Sequence, residues 1–207
     1  MDDPRGRLTK DGIRIHEAAD FAGMHAAGRL AAEILARLAT EPGIRTFKHE
    51  KNSGKGAALK TGFSQAKGNI VLIQDADLEY DLNDYEILLE PLRAFRHAFV
   101  LGARHGMDGK TWKMRHFTDQ LLVSRVMNFG HLFFTALFNL VYGTRLRDPF
   151  TMYKVFRRDC LHGLTFESNR FDFDWELVGK LVRAGYIPIE IPVNYTSRSF
   201  KDGKKVN

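Results

Sequence analysis

Asp75 and Asp77 stand one residue apart at the end of the run Asn69-Ile70-Val71-Leu72-Ile73-Gln74-Asp75-Ala76-Asp77-Leu78. The apolar, mostly β-branched residues 70–73 read as a buried strand that delivers both acids past its end. In period-two geometry the two side chains point the same way, and Glu79 continues the spacing as a third candidate ligand. Carboxylates so placed suit a divalent cation, which takes oxygen ligands and neutralises a diphosphate. The alternative is that these acids only solvate a loop and cap the next helix.

A second constellation lies upstream. In Asn52-Ser53-Gly54-Lys55-Gly56 the glycines let backbone N–H groups approach an anion, and the helix that follows adds a favourable dipole. Lys55 adds a point charge. The loop is not a P-loop, because His49 stands where the first Gly is needed and Gly56 where Ser or Thr is. An ordinary Gly-rich turn is the alternative. The tail Arg198-Ser199-Phe200-Lys201-Asp202-Gly203-Lys204-Lys205 is either an anion clamp or a solvated end. Asp148, before Pro149, suits a general base or an acceptor-positioning group, or else turn initiation. Asp172 or Asp174 reads as a cap for the helix carrying Trp175. No histidines form a His-x-x-x-His pair. An aspartyl-nucleophile phosphatase would also end a strand in Asp-x-Asp, but its pattern wants Thr or a small apolar residue where Glu79 stands.

The elements that must position these groups alternate along the chain. Leu30, Ile34, Leu35 and Leu38 follow helical spacing up to Glu41-Pro42-Gly43, and Ile44 to Lys48 reads as a short strand. A helix follows Gly56, and the acid-bearing strand comes next. Asn83 reads as a helix cap with Glu86 as its capping-box partner. Ala98 to Leu101 forms a strand ending in Gly102-Ala103-Arg104. A long apolar helix runs from Asp119 to Tyr142, Thr151 to Phe156 is strand-like, and a helix is closed by Gly185. Ile187 to Val193 alternates in period two with two prolines, which marks an edge strand. Such alternation argues for a mainly parallel sheet with helices on both faces.

Composition bounds the partners. The 207 residues are 44% hydrophobic and 27% charged, as in a globular α/β domain. The net charge of +6 favours anionic partners such as phosphates or acidic lipid head groups. No aromatic–basic interleaving suggests a nucleic-acid platform, so no nucleic-acid partner is expected. The single cysteine, Cys160, excludes an internal disulfide and reads as a buried small hydrophobe in a reducing compartment. Val126 to Thr144 is long enough to span a bilayer, but Asn128, His131 and Asn139 interrupt it. A helix buried in the protein or lying on a membrane surface fits better.

Together these motifs match a known family. From Glu33 to Lys205 the chain resembles inverting family-2 glycosyltransferases of the polyprenyl-phosphate type, the dolichyl-phosphate mannosyl- and glucosyltransferases and their bacterial relatives. The stretches that carry the resemblance are HEKNSGKGAALKTGF, GNIVLIQDADLEYD, LGAR, RDPFTMYKVFRRD, FDFDWEL and IPVNYTSRSFKDGKK. The resemblance implies a GT-A, Rossmann-like α/β fold and a nucleotide-sugar donor, GDP-mannose or UDP-glucose. It also implies Mg²⁺ or Mn²⁺, a polyprenyl-phosphate lipid acceptor, and a peripheral place on the cytoplasmic face of a membrane. Asp75 and Asp77 would hold the metal on the donor diphosphate, with Glu79 assisting. Asn52, Gly54 and Lys55 would line the donor site. Arg104, Arg198 and Lys205 look like cations for the donor diphosphate or the lipid phosphate, and Asp148 would lie near the reacting sugar. Residues 121–142 would rest against the membrane.

Members of the family begin with a strand ending in a Pro-x-Tyr-Asn-Glu-like motif and a second ending in Asp-Asp-Gly-Ser. Neither is found here. Residues 1–32 are therefore expected to stand outside the match. Residues 33–207 should form a partial GT-A domain lacking its first βα unit. The competing expectation is a truncated, catalytically impaired remnant that acts as a membrane-associated binding protein.

Overall fold

In a computed structural model the chain divides into two units, Met1–Glu50 and Lys51–Asn207. The structure describes residues 29, 32–34, 36–75, 79–104 and 121–196, without the side chains of 121–127. In the first unit, residues 36–40 are helical and end in a turn closed by the Ile44 N–H on the Glu41 carbonyl at 3.2 Å. Gly43 takes φ 84°, the left-handed conformation that ends helices cheaply. The strand expected at Ile44–Lys48 does not form; those residues have no regular structure. Two apolar residues in five give a strand little to bury, and among the described residues no strand pairs with it.

The second unit carries the sheet. Helix α1 (Lys55–Gln65) leads into β1 (Ile70–Ile73). A short 3₁₀ turn, Leu82–Asp84, opens α2 (Tyr85–Arg93). The cap of that turn is Asp81, whose carboxylate accepts the Asn83 N–H at 2.9 Å, rather than Asn83 itself. Then come β2 (Phe99–Ala103), the long α3 (Leu121–Tyr142), β3 (Lys154–Arg157), α4 (Phe173–Arg183) and β4 (Ile189–Pro192).

The strands lie in the order β1-β3-β2-β4. Strand β3 is antiparallel to both of its neighbours, and β4 is parallel to β2. Three of the four strands thus run in one direction, with β3 reversed between them. The α/β expectation holds, and the mainly parallel sheet takes the form of a mixed one. The sheet has helices on both faces, sorted by side-chain alternation. Phe99, Leu101 and Phe156 face α1 and α4 through Leu59, Phe63, Phe173, Leu177 and Leu181. Val100, Val155 and Tyr153 face α2 through Leu88 and Leu92. Cys160 is buried, as expected.

Strand β1 departs from the sequence reading. Its apolar run predicts an interior strand, yet among the described residues it is an edge, and only Ile73 is fully buried. Helix α3 departs less. Phe138 and Thr135 face inward, while Phe129, Phe133, Phe134, Leu137, Leu140 and Val141 are exposed along the opposite side. Among the described residues no helix is long and apolar enough to cross a membrane.

Candidate functional site

Strand β1 ends one residue before Gln74 and presents Asp75 beyond the sheet. Lys55, the first residue of α1, meets it there, with Nζ 3.5 Å from Asp75 Oδ2. Gly54 makes this entry possible. It takes φ 93°, and a Cβ there would run into the Asn169 carbonyl oxygen. The Asn52 side chain fixes the same turn by accepting the Gly54 N–H at 3.0 Å. Gly56 packs as closely, since a Cβ there would lie 2.8 Å from Phe173 Cβ. The glycines of this loop therefore press the start of α1 onto the segment that opens α4. A groove of about 520 Å³ runs from Lys55 and Asp75 between α1 and β1 to Ala66.

Asp174, in the first turn of α4, completes the cluster. Its Oδ2 lies 3.5 Å from Lys55 Nζ and its Oδ1 accepts from Lys154 Nζ at 2.8 Å. Lys154 is 0% exposed and also donates to the Thr151 carbonyl. Burial pushes the Lys154 ammonium below its ordinary range, with Asp174 opposing the shift. Burial raises the Asp174 carboxyl, but Lys154 and Lys55 outweigh it and hold the group below its usual value. In the sequence Asp174 belongs to an acidic cluster with a ready role as a helix cap, and Lys154 is one residue of a strand-like run. The available signal was a lysine inside the apolar run Thr151–Phe156, which must find an acid if it is buried.

A second ion pair sits at the end of β2. Arg104 donates through Nε to Asp148 Oδ2 at 2.8 Å and through Nη2 to Oδ1 at 2.7 Å, and its backbone N–H reaches Oδ2 at 3.0 Å. The Arg104 side chain is 8% exposed and Asp148 0%. Burial raises the Asp148 carboxyl, but the Arg104 guanidinium outweighs it and holds the group far below the carboxylate range. Glu190 on β4 fixes the turn that carries Asp148, accepting the Arg147 N–H at 2.9 Å and the Asp148 N–H at 2.6 Å. Arg104 also lies 5.6 Å from the centre of the Tyr195 ring.

Of the residues expected at the site, the structure brings Asp75 and Lys55 together, with Asn52 and Gly54 shaping the loop beneath them. Arg104 and Asp148 form their own buried cluster. Glu79 is 8% exposed, and its carboxylate accepts the Tyr195 hydroxyl at 2.8 Å. Asp77, Arg198 and Lys205 lie outside the described residues. Among the described residues no three acid, His or Cys side chains group as a metal site. Asp75 itself suits a hard cation. Its side chain is 36% exposed, and the positive charge beside it is a lysine that also faces Asp174.

The sequence profile of glycosyl transferase family 2 matches residues 29–164. Glycosyltransferase AglD of Haloferax volcanii is 30% identical over 166 residues, covering 79% of this chain and 25% of that protein. A dolichyl-phosphate beta-glucosyltransferase of Dictyostelium discoideum is 31% identical over 172 residues, covering 79% of this chain and 49% of the relative. Another of that name from Trichomonas vaginalis is 26% identical over 170 residues, covering 77% and 48%. The chain thus spans between a quarter and half of the length of these curated relatives. A profile match over more than half of the chain shows that the chain belongs to glycosyl transferase family 2.

Proposed function

We propose that this chain serves the transfer of a hexose from a nucleotide sugar to a dolichyl or other polyprenyl phosphate. The observation that carries the reading is the Lys55–Asp75 pair at the carboxyl end of β1, open to a groove, in a member of this family. Ligands of open α/β sheets sit outside the carboxyl ends of strands. The names of the relatives from Dictyostelium and Trichomonas support glucose as the sugar and dolichyl phosphate as the acceptor.

In this reading Asp75, with Asp77, would hold Mg²⁺ or Mn²⁺, which would neutralise the leaving diphosphate. Lys55 supplies a further positive charge to the same diphosphate. The acceptor phosphate is already ionised, so alignment and electrostatics carry more of the barrier than proton removal. Its oxygen attacks the anomeric carbon from the face opposite the leaving nucleotide, and the configuration inverts. Asp148 is shut off from solvent and bonded on both oxygens, so it acts through Arg104 as a positioning residue rather than as a general base. Arg198 and Lys205 remain the proposed cations for the lipid phosphate. The exposed aromatic side of α3 gives the protein a peripheral hold on the cytoplasmic face of a membrane.

Two measurements test this. Release of nucleoside diphosphate from UDP-glucose or GDP-mannose, with Mn²⁺ and dolichyl phosphate, should fall by about 100-fold or more in Asp77→Ala. No Asp77-dependent turnover, together with no nucleotide binding by calorimetry, sinks the enzyme reading. Separately, Phe133→Glu with Phe134→Glu should cut co-sedimentation with anionic vesicles by about tenfold. Binding equal to wild type would remove α3 from the membrane reading and leave the transferase reading standing.

A further inference from the structure

We infer that Asp174, anchored by the buried Lys154, is a positioning residue that shares the Lys55 ammonium with Asp75, and so sets how strongly Lys55 competes with a cation for the Asp75 carboxylate. The inference rests on the proposed metal–diphosphate site and adds a control on it.

The geometry is even-handed. Lys55 Nζ lies 3.5 Å from a carboxylate oxygen of each acid. The two acids differ in freedom. Asp174 is tied on its other oxygen to Lys154 at 2.8 Å, and a fully buried ammonium does not give up a paired carboxylate without a heavy penalty. Asp75 stands at a strand's end, more open to solvent than Asp174. Lys55 is therefore hinged on Asp174 and can exchange its contact with Asp75.

Charge follows from the same four groups. Two ammonium groups and two carboxylates balance, so a divalent cation arriving alone competes with Lys55 for Asp75 and leaves these four groups with excess positive charge. A cation that arrives with a diphosphate avoids both costs. Its anion offers Lys55 a new partner within reach of the Asp174 hinge. The arrangement favours the cation–diphosphate complex over the bare metal, with Lys55 holding the place of the cation until then.

The test uses the full chain and Mn²⁺ alone, with free Mn²⁺ followed by electron paramagnetic resonance. Lys55→Met removes the internal competitor and should tighten Mn²⁺ about tenfold. Asp174→Leu combined with Lys154→Met replaces a buried ion pair by apolar groups, which preserves folding better than either change alone. Among the described residues it leaves Lys55 with Asp75 as its carboxylate partner, so Mn²⁺ should bind several-fold more weakly. Opposite signs are the signature, since general damage to the site would weaken both variants. Equal affinities, or shifts of the same sign, overturn the inference. Asp75→Asn separates the two readings. If it abolishes Mn²⁺ binding while the other variants match wild type, the positioning role alone falls. If Asp75→Asn binds Mn²⁺ like wild type, the metal site and the inference fall together.

Discussion

Asp148→Ala should destabilise the protein by about 3–5 kcal/mol, read as a lower denaturation midpoint. The size follows from what is left behind. Arg104 is 8% exposed and always ionised, so without Asp148 its charge is buried beside no carboxylate that the structure shows paired to it. Its backbone N–H loses its acceptor as well. Much of that cost belongs to the stranded guanidinium rather than to the pair. Arg104→Met combined with Asp148→Leu should therefore recover most of the loss, and failure to recover would place the effect in the turn held by Glu190 instead. The pH dependence has a definite sign. The Asp148 carboxyl titrates below its ordinary 3.8 in the folded protein, so its contribution is complete above that value. It is lost as the pH falls through the folded value, and wild-type stability should decline below about pH 4. Asp148→Asn should start lower and decline less over the same range.

The parts of the molecule that were legible in the sequence are those where one residue type meets one local rule. The run Ile70–Ile73 could hardly be anything but a strand, and Gly185 could hardly do other than close α4, where it takes φ 91°. On its glycines the loop at Asn52–Gly56 reads as either an anion cradle or an ordinary turn. The structure adds that Gly54 and Gly56 are also needed to let α1 touch the 168–173 segment. What stayed hidden depends on neighbours distant in sequence. Strand alternation does not reveal that β3 runs backwards between β1 and β2, because the direction of a strand leaves no mark on its side-chain alternation. An Asp before Pro reads as a turn, and only the fold buries it against Arg104, forty-four residues upstream. Lys154 and Asp174 are twenty residues apart and looked like a strand lysine and a helix cap. Long-range ion pairs leave no periodicity to find. They are inferred from a charge where burial is expected, and that signal needs the sheet before it means anything.

Gly54→Ala should lower transfer by about 100-fold with only about 1–3 kcal/mol of lost stability, because it moves Lys55 rather than unfolding the domain. The residue sits at φ 93°, which an alanine adopts at a cost, and the added Cβ meets the Asn169 carbonyl oxygen and lies 3.1 Å from Arg170 Cγ. Neither backbone can yield far. The Ala57 N–H donates to that same Asn169 carbonyl at 3.2 Å, so the 169 segment and the first turn of α1 are already joined. The strain is relieved most cheaply by tilting the start of α1 outward. Lys55 is the next residue in the chain, and its ammonium must reach the diphosphate beside Asp75 while it stays hinged on Asp174. A displacement near 1 Å is enough to lose one of two contacts that begin at 3.5 Å, and misplacements of that size cost about 10²-fold in rate. The measurement is nucleoside diphosphate release beside a denaturation midpoint. Transfer within a few-fold of wild type in a stable variant would show that the Gly54 turn does not set Lys55, and that the diphosphate finds its positive charge elsewhere.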